Sequence, residues 1–161
     1  MFEALYFWIL EVTVTLAPRM IARLLAPPHR VARQVDLDLR RANPIDFSLN
    51  VEVPNVWLYF RVSNLSPVNL ILDRLLIELW VGQPTFQGST LRRVDVPARK
   101  STEDVSFWTD LSTNQVGQIQ SKANNGLLTA PVMLTLDAYF ESKVGLVHVR
   151  KQLEQRDLRL R

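Results

Sequence analysis

Polar and apolar residues alternate with two different periods along the chain, and the change falls near Val35. Beyond it, VDLDL sets Val35, Leu37 and Leu39 against two aspartates. IDFSLNVEV repeats the pattern, with Ile45, Phe47, Leu49, Val51 and Val53 opposite Asp46, Ser48, Asn50 and Glu52. Strict alternation of this kind predicts half-buried strands, because successive side chains leave a strand on opposite faces. Pro54-Asn55 ends the second strand. In VWLYFRVS, Val56, Leu58, Phe60 and Val62 share one face, and Trp57 and Tyr59 occupy a second, partly covered one.

Asn64-Leu65-Ser66-Pro67 reads as a turn, since Asn and Ser side chains bond nearby backbone and Pro presets φ. LILDRLLIELWV follows over 70–81. Leu72, Leu75, Leu76 and Leu79 also fit a helical period, but Gly82 and Pro84 stop the run and branched and aromatic residues crowd its end, which favours a strand. A connection or short strand over Gln83–Ser89 around Phe86, a strand over Thr90–Val96, a polar turn at Ala98–Thr102 and a strand over Glu103–Thr109 come next. Ser112-Thr113-Asn114-Gln115 has the form of a capping box and predicts a helix over about 113–123, stopped by Asn124-Asn125-Gly126. Alternation resumes from Val132 to Phe140, turns over Ser142–Gly145 and returns over Leu146–Leu153, with a last pairing at Leu158 and Leu160. About eight short strands with one late helix predict a mainly β fold, an antiparallel β-sandwich.

The first 26 residues follow a helical period. Their longest uncharged runs, Ala4–Leu10 and Val12–Pro18, are seven residues each, against the ~20 that a spanning helix needs. Glu11 would lie mid-membrane at a cost of roughly 2.5 kcal/mol or more. A secretory signal fits poorly, because Glu3 precedes the apolar run and arginines follow it. At about 100° per residue, Leu5, Trp8, Ile9, Val12 and Leu16 fall on one side, and Glu3, Glu11 and Thr15 on another. The stripe shifts after Pro18, so two amphipathic helices with a break there fit better than one.

The expected docking residues are Leu5, Tyr6, Phe7, Trp8, Ile9, Val12, Leu16, Ile21 and Leu24, facing a membrane surface or an integral membrane partner. Arg19, Arg23, Arg30 and Arg33 are the expected contacts to anionic lipid, and their basic excess places the following domain on the cytoplasmic side. Pro27-Pro28 marks residues 27–34 as a linker between the helix (1–26) and the sandwich (35–161).

Chemistry is sparse. The chain of 161 residues has no cysteine, which excludes disulfides and thiolate sites. His29 and His148 lack neighbours at metal-ligand spacing, and the five glycines form no phosphate-binding loop. No catalytic residue, metal or cofactor is assigned. Glu103-Asp104, the only adjacent acidic pair, reads as a solvated strand edge, and Arg92-Arg93 and Arg150-Lys151 as exposed bases. The net charge is only +3, and the run from Arg30 to Arg41 lacks interleaved aromatics, which argues against nucleic acid.

From Tyr59 to Leu111 the chain carries VSNLSPVNLIL, then LLIELWVG, then a VPARKST turn. With these, residues 35–161 resemble the type-2 late embryogenesis abundant (LEA) group, also called the water-stress and hypersensitive-response domain. Asn64-Leu65-Ser66-Pro67 stands where that family commonly has an Asn-Pro-Asn-like segment. The resemblance implies an immunoglobulin-like sandwich, often tethered to a membrane by an N-terminal segment, without enzymatic activity or a small-molecule substrate. Some relatives are associated with stress, others with membrane contacts. Three readings stay open: a membrane-associated structural or binding module, a subunit of a homo- or hetero-oligomeric assembly docked through the N-terminal helix, and a lipid-binding or lipid-transfer module.

Overall fold

A computed structural model describes residues 2–91, 93–156 and 158–160, without the side chains of Phe2, Glu3, Ala4, Tyr6, Phe7, Thr15, Glu103 and Asp104. Three helices come first: α1 (Phe2–Leu16), α2 (Arg19–Leu25) and α3 (Pro28–Ala32). The strands β1 (Val35–Leu39), β2 (Ile45–Ser48) and β3 (Asn55–Asn64) follow, then β4 (Leu70–Val81), β5 (Pro84–Thr90), β6 (Val94–Val96) and β7 (Lys100–Asp110). After α4 (Thr113–Ser121) come a small ribbon, β8 (Ala123–Asn124) with β9 (Leu127–Leu128), and the closing hairpin β10 (Val132–Ser142) and β11 (Val147–Gln155).

The strands build an antiparallel, immunoglobulin-like β-sandwich. In one sheet β3 is central: β7 runs along one edge, and β1 and β2 share the other, from Val35↔Asn64 to Leu39↔Phe60 and from Ile45↔Leu58 to Ser48↔Asn55. The second sheet runs β11-β10-β4, with β5 and β6 sharing the outer edge of β4. The inward faces pack Phe47, Leu58 and Phe60 of the first sheet together with Leu79, Leu134 and Phe140 of the second, all essentially without solvent contact. Burying large apolar side chains is the main stabilising term here, at about 1.5–3 kcal/mol each.

Four local departures from the sequence pattern have physical reasons. β2 stops at Ser48, and Val51 and Val53 are exposed, because residues 49–54 loop over to pair Ser48 with Asn55. β4 contains an irregularity: Leu72 and Leu75 are both buried, and the register against β10 shifts between Tyr139 and Phe140. An extra residue in the strand resets its parity and keeps both halves of β4 facing the core. The run over 90–96 is broken, β5 ending at Thr90 and β6 starting at Val94. The stretch 27–34, marked as a linker by Pro27-Pro28, is partly helical. It holds α3, with Pro28 at its start and Val31 buried. Pro is tolerated there because its missing N–H would have no partner in a first turn anyway.

α4 forms as its signal indicates. Ser112 Oγ accepts from Gln115 N, and Ser112 N donates to Gln115 Oε1 at 2.8 Å. Gln115 Nε2 also donates to the Thr85 carbonyl, fastening α4 to β5.

Candidate docking surface

The helices α1 to α3 lie at the end of the sandwich where β3 gives way to β4 and β10 to β11. The break between α1 and α2 falls at Ala17-Pro18, with Pro18 leading into α2. Val14, Ala22, Ala26 and Val31 are buried and join the core, with Leu10 packed beside them. Ala22 and Ala26 have no bulk, so the backbone of α2 can approach closely. Two polar contacts hold the helices down. Arg23 Nε donates to the Val144 carbonyl at 2.9 Å, and Glu11 lies 3.6 Å from Arg99 of the β6–β7 turn.

The opposite side is apolar and open. Leu5, Trp8, Ile9 and Leu16 of α1 and Met20, Ile21, Leu24 and Leu25 of α2 are exposed, from 40% at Leu25 to 82% at Leu24. Val12 is half-buried. On the helical wheel, Leu10 and Val14 lie about opposite Leu5 and Leu16, which explains why the first pair faces the body and the second does not. Isolated exposed apolar residues are ordinary, whereas a group of them makes a candidate contact surface. No helix among the described residues is long and apolar enough to cross a membrane.

Comparison with known proteins adds little to this geometry. No family model matches the chain, and neither does any curated protein. Among solved structures, the chain is similar to an X-ray structure of a structural-genomics target at 8% identity, covering 77% of this chain and 87% of that one, with a TM-score of 0.49. It is also similar to a LEA-like protein solved in solution, at 10% identity over 85% of this chain and 80% of that one, TM-score 0.47. A protein from Archaeoglobus fulgidus is similar at 11% identity over 76% of this chain and 98% of that one, TM-score 0.44.

The sequence-predicted docking residues divide as follows. Leu5, Trp8, Ile9, Leu16, Ile21 and Leu24 share the open face. The side chains of Tyr6 and Phe7 lie outside those described. Arg19, Arg30 and Arg33 are exposed, and Arg23 is exposed but anchored at Val144. Sequence reasoning left out Met20 and Leu25 on the same face, and Leu146, which stands 61% exposed beside α2 in the β10–β11 turn. A leucine directly after a turn glycine was the available signal for Leu146.

The remaining candidates are tied into the fold. His148 is 2.9 Å from Asp137 and stacks on Tyr139. Arg93 pairs with Glu141, Lys151 with Asp36 and Arg150 with Asp137. Glu103 and Asp104 fall inside β7, with side chains outside those described, and so does Arg92 as a whole. Among the described residues no group of three or more His, Asp or Glu side chains converges as a metal site would require. On the outer face of the first sheet, Trp57 stacks between Tyr59 and Trp108, and Arg40 covers the Tyr59 ring at 4.2 Å.

Proposed function

We propose that the protein is a non-enzymatic module, LEA-type-2-like in its sandwich, that rests on a membrane surface through α1 and α2 with the sandwich on the cytoplasmic side. The observation that carries this reading is the open face of the two helices, where eight large apolar side chains face away from the body. Helices that lie in a bilayer interface bury such a face at the boundary of headgroups and acyl chains, and basic residues around it add attraction to anionic lipid. Arg19 of α2 and Arg30 and Arg33 of α3 and its end, all exposed, supply basic charge for that attraction. The filled layer between the sheets, where Phe47, Phe60 and Phe140 have no solvent contact, favours attachment at the surface over lipid carriage inside the fold.

Liposome flotation of the full chain tests the reading. Leu16, Met20 and Leu24 are each about four-fifths exposed, so exchanging them for serine leaves the fold alone. Each loses about 1–2 kcal/mol of apolar burial at the interface, so the triple variant binds at least ~100-fold more weakly. A wild-type chain that stays with the unbound fraction, or a triple variant that floats as well as wild type, overturns bilayer attachment. Loss of a co-purifying integral protein in the triple variant, with no flotation of wild type, assigns the face to a protein partner instead.

A further inference from the structure

We infer that the cleft between α2 and the β10–β11 turn is a binding site for the phosphate group of an anionic lipid. The inference rests on the membrane attachment proposed above and says which lipid chemistry the attached protein selects. The cleft encloses about 400 Å³, and Arg19, Arg23, Ser142, Lys143, Gly145 and Leu146 border it.

Its basic wall is built rather than loose. Arg23 is held by the bond from Nε to the Val144 carbonyl, which leaves the terminal guanidinium nitrogens lying along the turn. Glycine at 145 leaves them room there. A Cβ at that position would come within 2.9 Å of Arg23 Nη2. Arg19 sits one helical turn earlier, so its side chain leaves α2 on the same side as Arg23. Lys143 stands across from them on the turn. A guanidinium fixed in place with a second base beside it suits a phosphate, which takes forked N–H donors from arginine. The one carboxylate on the rim, Glu141, is neutralised by Arg93 at 2.7 Å.

The surroundings decide in favour of a lipid over a dissolved anion. Leu146 borders the cleft on the wall opposite α2, and Met20 and Leu24 leave α2 on the side next to Arg19 and Arg23; all three are exposed apolar side chains. When those side chains enter the acyl boundary, Arg19, Arg23 and Lys143 come to rest at the depth of the lipid phosphates. A free phosphate would gain nothing from that apolar rim.

The test compares flotation on neutral phosphatidylcholine vesicles with flotation on vesicles containing phosphatidylglycerol, using the full chain. A basic residue near an anionic surface contributes a factor of about 5 in affinity, so Arg19→Gln with Lys143→Gln lowers the preference for anionic vesicles about 25-fold and leaves neutral binding unchanged. Lys122→Gln with Arg159→Gln removes the same charge at the opposite end of the sandwich and changes the preference less than ~2-fold. Inorganic phosphate at about 10 mM, with ionic strength matched, does not release the wild-type chain from anionic vesicles. Equal losses in the two double variants, or release by inorganic phosphate, overturn the lipid site. A wild-type chain that floats equally on both vesicles removes the site and leaves the attachment standing, whereas one that floats on neither removes both.

Discussion

Asn64 is the residue whose replacement tests the fold most sharply. It has no solvent contact and sits at the end of β3, where the two sheets meet. Its Nδ2 donates towards three carbonyls, those of Val68 at 2.8 Å, Val96 at 3.1 Å and Pro97 at 3.2 Å. Its Oδ1 accepts from the backbone N of Ser66 at 3.1 Å and from Ser66 Oγ at 2.6 Å. One amide therefore closes the β3–β4 turn on itself and ties it to the strand and turn at β6. Asn69 adds a second tie, its Oδ1 accepting from Ala98 N at 2.8 Å.

In Asn64→Ala the Ser66 hydroxyl can turn to the Val68 carbonyl, 3.2 Å away, but the Ser66 N–H and the other carbonyls are stranded in a buried site. A stranded buried donor costs about 1–3 kcal/mol and each of the two lost bonds from the amide N–H groups about 1, so the total is about 3–5 kcal/mol. Against a stability of about 5–15 kcal/mol, that is a large share. At about 2–4 °C per kcal/mol for a domain of this size, Tm falls by about 6–20 °C.

Asn64→Asp sharpens the test. The carboxylate keeps the bonds from Ser66 but turns an oxygen, with no proton, towards three carbonyl oxygens, so at pH 7 it is worse than alanine. Burial and those carbonyls raise the folded-state pKa of the new carboxyl above its unfolded value of about 3.9. A group raised in the folded state costs nothing below its unfolded pKa and costs progressively more as pH rises through the folded value. The deficit of Asn64→Asp relative to wild type therefore narrows as pH falls from 7 towards 4. Urea unfolding followed by circular dichroism at several pH values, with calorimetry for Tm, reads all of this. Leu65→Ser, in the same turn but 67% exposed, is the control and stays within ~0.5 kcal/mol of wild type. A fall in Tm below ~2 °C for Asn64→Ala, or an Asn64→Asp deficit that does not move with pH, refutes the account of the buried amide.

Three further outcomes follow from other parts of the molecule. Gly145 has φ +114°, a region that side chains strain to adopt, so Gly145→Ala lowers stability by about 1–3 kcal/mol. The strain, more than the 2.9 Å approach to Arg23 Nη2, sets that cost, so nearly the same loss appears in an Arg23→Gln background when both are measured by urea unfolding. Ser112→Ala removes the α4 cap and lowers Tm by about 2–4 °C, corresponding to about 1 kcal/mol, in a calorimetric scan. Trp57 and Trp108 face each other across β3 and β7 with ring centroids 5.9 Å apart, and a double-mutant cycle to leucine yields a coupling of about 0.5–1.5 kcal/mol.

The strands were legible wherever alternation was unbroken. Val56 to Val62 and Val132 to Phe140 read correctly because pairing on both edges holds each strand to one pleat, and the inward residues are the alternating ones. β4 looked ambiguous because its irregularity sets Leu72 and Leu75 three residues apart on one face, a spacing that a helix shares. The short reach of β2 was hidden because Leu49, Val51 and Val53 keep the parity of a strand while belonging to a loop. Asn64 was legible as a turn residue but not as a buried tie, because its partners at Val96 and Pro97 lie more than thirty residues away. For the helices, the wheel grouped Leu5, Trp8, Ile9, Val12 and Leu16, but whether that group or its opposite meets the sandwich depends on long-range packing. Leu146 joins the face through such packing alone.

The helices carry their apolar residues in an order that capping the sandwich does not require. An amphipathic helix whose sole role is to cover a core turns its largest apolar side chains inward and its polar ones outward. In α2 the inward positions are the alanines 22 and 26, while Met20, Ile21, Leu24 and Leu25 point out. Among the described side chains of α1, Leu10 and Val14 lie inward, and Leu5, Trp8, Ile9 and Leu16 are exposed. Leaving a side chain of this size in water forgoes about 1.5–3 kcal/mol relative to burying it, repeated over eight residues. Small residues inward let α2 lie close to the body, with Arg23 held on the turn. Large residues outward are then presented as one rigid face. That division of labour is what an apolar medium or partner beyond the chain would demand, and it is the physical ground on which the docking reading stands.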